Sequence, residues 1–135
     1  MFDTWIDFES YAEDVKAEAG FIVGYKTLFQ RAGLLPEQLE EGLEICRKAH
    51  NIRMGVYRAL EARDIARKKQ ATLVMAGREE DPALVKEIDK AEDKVMVLAY
   101  HVLKLKQPLD DYLYDIEMTP RAKYNVKDDA LYQED

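Results

Sequence analysis

A single cysteine, Cys46, stands in 135 residues, so the chain can build neither an internal disulfide framework nor a cysteine-rich zinc site. No apolar run approaches the roughly 18 residues a bilayer-spanning helix needs, and "FIVGY" is far too short. The acidic start "MFDTWIDFESYAEDV" lacks the basic and apolar regions of a secretory signal, which predicts a reducing cytoplasmic setting with no membrane association. Histidine is scarce too. Neither His50 nor His101 has a Glu three residues earlier, which excludes the Glu-x-x-His pairs of di-metal helical bundles. Phosphate-cradling G-x-x-x-x-G-K-[ST], dinucleotide-binding G-x-G-x-x-G and the nucleophile elbow G-x-S-x-G do not occur. Cys46 and His50 share a helical face at four-residue spacing, but a lone helical cysteine among apolar neighbours reads as core. Asp110, Asp111 and Asp115 read as solvated carboxylates. The expectation is a non-enzymatic protein with no cofactor, metal or small-molecule substrate.

What is present is helix. Strand-type alternation is missing, while apolar residues recur at 3–4 spacing and the few glycines and prolines fall at boundaries. Asp3 and Thr4 can cap a first helix to about Glu18, with Trp5, Phe8, Ala12, Val15 and Ala19 on one face and Gly20 as its stop. A second helix covers about Ile22 to Ala32 and ends at Gly33. Pro36, followed by "EQLEE", opens a long third helix to Met75. Gly77 to Asp81 is a turn, and Pro82 begins the most regular segment. Leu84, Ile88, Ala91, Val95, Leu98, Val102 and Leu105 keep strict 4–3 spacing, the seam of a coiled coil. The short connection predicts an antiparallel pairing with helix 37–75.

The spacing therefore predicts an all-α single domain. Two short N-terminal helices (1–33) precede a long helical hairpin (36–106) that Pro108 closes. An acidic, tyrosine-rich segment (107–135) follows, with one short helix around "DDYLYDI".

Charge is unevenly spread. The chain carries −7 overall, yet Arg47–Lys69 holds eight Lys or Arg against two acids, +6, leaving −13 elsewhere. On a helical wheel Ile45, Ala49, Ile52, Val56, Ala59 and Leu60 form the stripe that pairs with the following seam. Leu43, Cys46, Met54 and Tyr57 form a second apolar group more than about 90° away at 100° per residue, which predicts a homo-oligomer interface unless the N-terminal helices cover it. Between them runs a basic, small sector of Arg47, Lys48, Asn51, Gly55, Arg58, Ala62 and Lys69. Arg47, Lys48, Arg58 and Lys69 are the candidate contacts to nucleic-acid phosphates. The competing account is a solvated face paired with Glu87, Asp89, Glu92 and Asp93 of the next helix; arginine suits both roles.

The segment "YDIEMTPRAKYNV" (114–126) resembles the ending of small terminase subunits of tailed double-stranded-DNA bacteriophages, some of which close on G-L-T-P-x-x-R. Met118, Thr119, Pro120, Ala122 and Lys123 fill that pattern, with Lys for Arg and Glu117 where the family has Gly. A tryptophan-bearing first helix, the helix start "AGLLPEQLEEGLEIC" and a long hairpin are also similar in layout. The resemblance implies a packaging factor that forms a homo-oligomer, possibly a ring, binds viral double-stranded DNA and recruits the large terminase. Tyr112, Tyr114, Pro120 and Lys123 would be its partner-binding tail. The opposing expectation is a small acidic adaptor, assembly chaperone or host-protein inhibitor that binds protein and no DNA.

Overall fold

The computed structural model describes residues 5–118. The chain is all-α, with no strand among these residues: α1 (Trp5–Val23), α2 (Tyr25–Arg31), α3 (Pro36–Met75) and α4 (Pro82–Met118). No helix among them is long and apolar enough to cross a membrane. The proposed cap Asp3–Thr4 lies outside the described residues.

Helices α3 and α4 form the expected antiparallel hairpin. Its turn is held at both ends. Gly77 adopts φ +78°, a left-handed conformation that glycine reaches without a Cβ penalty. Arg78 N–H then reaches back to the Leu73 carbonyl (2.9 Å) and Gly77 N–H to Val74 (3.0 Å). The Asp81 carboxylate caps α4 by accepting from Ala83 N–H at 2.9 Å. Buried Gln70 of α3 grips the backbone of Asp81 twice, accepting its N–H at 2.9 Å and donating to its carbonyl at 3.2 Å. The turn is thereby fastened to the helix it follows.

The seam of α4 is buried at six of its seven expected positions, with Ile88 half-buried, and it does not stop at Leu105. Leu109, Tyr112 and Ile116 continue the 4–3–4 spacing and are buried as well. This corrects the expectation that Pro108 closes the hairpin at 106 and that a separate short helix follows. Proline inside a helix costs about 3 kcal/mol or more through its lost N–H and ring clash. Here Pro108 lies on the exposed side of α4, and the apolar residues beyond it gain burial only if the helix continues.

Tyr112 is the second correction. Expected in a partner-binding tail, it is 1% exposed in the core. Its hydroxyl donates to the Gln38 carbonyl at 2.6 Å, and its ring meets Phe29 edge-on, centroids 5.0 Å apart. Gly42 makes room: a Cβ there would lie 2.6 Å from the Tyr112 hydroxyl and 2.8 Å from Phe29. An aromatic row, Phe21–Tyr25–Phe29–Tyr112, therefore ties the C-terminal half of α4 to α1 and α2.

Helix α1 lies along α3 and α4, burying Phe8, Ala12, Val15, Ala19 and Ile22. It passes through Gly20 rather than stopping there, which lengthens the first helix and shortens the second. Burial of Ile22 favours the continuation, and Gly20 leaves the Arg53 guanidinium a berth 3.6 Å from where a Cβ would stand. Lys106 of α4 holds Glu18 of α1 at 3.1 Å.

The close approach at Gly42 yields a direct test. Gly42→Ala should destabilise the fold by about 1–3 kcal/mol through overpacking against Tyr112 and Phe29. Urea denaturation checks this, and the Gly42→Ala/Tyr112→Ala double variant should cost less than the sum of the two singles.

Candidate interaction groove

The two long helices have two sides, and their chemistry differs. On one side sits α1. Its attachment centres on Arg63 of α3, which occupies a seam position (42, 45, 49, 52, 56, 59, 63, 66, 70) and is 0% exposed. The guanidinium pairs with Glu9 of α1, lies 3.8 Å from Glu92 of α4, and stacks over the Phe8 ring with its carbon 4.5 Å from the centroid. Neighbouring Arg67 has its pKa lowered, first by burial and then by the positive charge of Arg63. In the sequence Arg63 is one of the eight cations of the Arg47–Lys69 stretch, with nothing in its type to set it apart. Its place in a 3–4 repeat was the available signal.

The second apolar group lies on this α1 side. Cys46 is buried, its thiol donating to the Ile22 carbonyl at 3.5 Å. Burial pushes that thiol's pKa up against the opposing pull of Lys26, which keeps it protonated and unreactive near neutral pH. Leu43 is half-buried, while Met54 and Tyr57 are 36% and 42% exposed. Tyr57 is roofed by cations, with Lys16 Nζ 4.5 Å and the Arg53 guanidinium 5.7 Å from its ring centre. The N-terminal helix thus covers the part of this stripe nearest Cys46 and leaves Met54 and Tyr57 at its edge.

On the other side nothing among the described residues covers the hairpin. A groove of about 830 Å³ runs between α3 and α4. Asn51, Gly55, Arg58, Ala59 and Ala62 line it from α3, with Glu87, Lys90, Ala91, Asp93, Lys94, Val97 and Leu98 from α4. The floor is made of small residues. At Gly55 a Cβ would stand 3.0 Å from Leu98 Cδ1, so the two helices close tightly beneath the groove. Charge is confined to the lining's exposed residues, three cations against two acids, and no ion pair joins them among the described residues.

The four candidate phosphate contacts are not gathered at one point. Arg47 bonds Glu44 and lies 3.5 Å from Glu40, so its charge is already answered on its own helix. Lys48, Arg58 and Lys69 are exposed, but only Arg58 lines the groove. From 47 to 69 the helix rises about 33 Å at 1.5 Å per residue. Sequence reasoning missed Lys90 and Lys94, because they come from the facing helix and meet Arg58 only once the hairpin forms. Of the expected tail residues, Tyr114 is exposed, and Pro120 and Lys123 lie outside the described residues.

No family model, curated protein or solved structure matches this chain. The site must be read from its own chemistry. Among the described residues no group of three His, Cys, Asp or Glu is placed to hold a metal ion. What the groove offers is a concave, largely apolar strip about as long as three turns of helix, with cations along its rims.

The buried ion pair provides a test of how α1 is held. Arg63→Ala should cost about 3–5 kcal/mol, because Glu9 and Glu92 lose their shared cation, whereas Arg63→Met should cost clearly less. Thermal unfolding followed by circular dichroism distinguishes the two; equal losses would mean the charge contributes nothing beyond volume.

Proposed function

We propose that this chain is a non-enzymatic assembly protein that receives an acidic helix in the open groove of its α3–α4 hairpin. One observation carries the reading: the floor is Gly55, Ala59, Ala62 and Ala91 beside Val97 and Leu98, while Arg58, Lys90 and Lys94 stand at the rims. Small residues let a helix axis approach closely, at about 8–10 Å, so the floor supplies apolar contact and the rims supply charge selection. Phosphates would gain nothing from an apolar floor. The reading belongs to the adaptor or assembly class, and the protonated, buried Cys46 suits a reducing cytoplasm.

A second reading keeps the packaging role that the terminase resemblance implies. It is favoured by Arg58, Lys90 and Lys94 lining one groove, with Lys48 and Lys69 exposed on the same wheel sector of α3 as Arg58, five exposed cations on an acidic protein. Those five fall short of the roughly six to ten phosphate contacts of firm DNA binders. In this reading several copies in one assembly would supply the rest by avidity before the large terminase is recruited.

Fluorescence anisotropy separates the readings. An amphipathic model peptide with alanines on one face and glutamates flanking them should bind at micromolar concentration, weaken with salt, and be lost on Ala62→Trp. Its lysine counterpart should not bind. If instead a DNA duplex binds with a steep salt dependence that Arg58→Glu flattens, while the acidic peptide does not, the packaging reading replaces the first.

A further inference from the structure

We infer that the helix received by the groove is α1 of a second copy of this same chain, docked by its outer face. This rests on the helix-receiving reading above and names its partner.

The argument begins with the exposed face of α1. While Phe8, Ala12, Val15, Ala19 and Ile22 face the molecule's own core, Asp7, Ser10, Glu13, Asp14, Ala17 and Phe21 are exposed. At 100° per residue these form one continuous stripe, at 7, 10, 14, 17 and 21 with Glu13 beside it. The stripe is acidic, narrow at Ser10 and Ala17, and ends on a large aromatic that is 69% exposed. The groove offers a small, apolar floor and, at its rim, the cations Arg58, Lys90 and Lys94 in excess over the acids Glu87 and Asp93. Charge of opposite sign meets if the two are brought together.

The spacings agree as well. With Phe21 placed over Val97, equal helical rise sets Ala17 near the level of Lys94 and Asp14 at the level of Lys90. Ala17 then falls over the small floor, while Ser10 comes level with Lys86, just past the Glu87 end of the groove. Phe21, 69% exposed in its own molecule despite its T-shaped contact with Tyr25 (centroids 5.6 Å apart), gains further apolar contact.

Geometry makes the association head-to-tail. Helix α1 covers one side of the hairpin and the groove opens on the other, so a molecule that receives a neighbour's α1 still presents its own. The interface is therefore heterologous, and repeating it produces either a closed ring or an open chain of copies. It also differs from the interface expected on Leu43, Cys46, Met54 and Tyr57, which lies on the α1 side.

Charge reversal on each half supplies the test. Lys90→Glu with Lys94→Glu reverses the groove; Glu13→Lys with Asp14→Lys reverses the α1 face. Light scattering of the wild-type chain at about 100 µM, far above a micromolar dissociation constant, should give a mass above 15.6 kDa. Each double variant alone should associate about 100-fold more weakly while keeping wild-type helicity. Mixing the two variants should restore association, because each then carries a half that fits the other. A monomeric wild-type chain, association unchanged in either folded variant, or a mixture that stays dissociated would each overturn the proposal. A monomeric chain that still binds the acidic model peptide would overturn only this inference and leave the helix-receiving reading intact.

Discussion

The arrangement of the whole molecule depends on how one positive charge is buried. Arg63 sits on the face of α3 that should be apolar, with no exposure to water, and removing an ion from water costs several kcal/mol even after relaxation. That cost is met only where Glu9, Glu92 and the Phe8 ring converge, which requires α1, α3 and α4 to be in register together. An apolar residue of similar volume could pack against several faces of α1. A guanidinium needs the one face that carries Glu9. The buried pair therefore selects where α1 lies along the hairpin, and by doing so it decides which side of the hairpin stays open.

At the other end of the bundle the constraint is steric. Tyr112 can reach the Gln38 carbonyl only because Gly42 has no side chain, and Phe29 completes the packing from α2. These contacts exist only if α4 stays helical past Pro108. The local preference of proline and the tertiary gain of Leu109, Tyr112 and Ile116 thus oppose each other, and the gain prevails. The two ends use different physics, ionic near the middle of α3 and aromatic at its start, so α1 is gripped along its length: Glu9 toward one end, Phe21 and the Lys106–Glu18 pair toward the other.

The hairpin was legible because its signals are local and repeated. Seven seam positions, Gly77 for the reversal and Asp81–Pro82 for the restart all lie where their spacing says, and six of the seven seam residues are buried. The misreadings share one cause. Pro108, Gly20 and Tyr112 were judged by what such residues do in a neighbourhood of a few positions, as breaker, stop and docking tyrosine. Each is overruled by a partner distant in sequence: the seam against α3, Arg53, and Gln38 with Phe29. The α4 repeat itself held the correction, since 109, 112 and 116 continue it across the proline. Arg63 was hidden by its type, because a cation in a basic stretch looks like surface until its place in the α3 repeat is counted.

The open groove was only half legible from one helix: the small, basic sector of α3 supplies Asn51, Gly55, Arg58 and Ala62 of its lining, but the α4 wall was not seen. One of its cations comes from α3 and two from α4, so no stretch of sequence shows their cluster; the +6 of Arg47–Lys69 overstated one helix and ignored the other. Folding spends part of that excess internally, Arg63 on Glu9 and Arg47 on Glu44 and Glu40. What remains exposed at the groove is three cations against two acids on a protein of net charge −7. A field of that size acts at contact more than at a distance, where opposite charges set partner choice and register. Screening would shorten its reach to about 8 Å at physiological salt, roughly the spacing between packed helices. In the helix-receiving reading proposed above, the charge would act on a helix already lying in the groove, selecting the partner and its register, while the small apolar floor would supply the affinity.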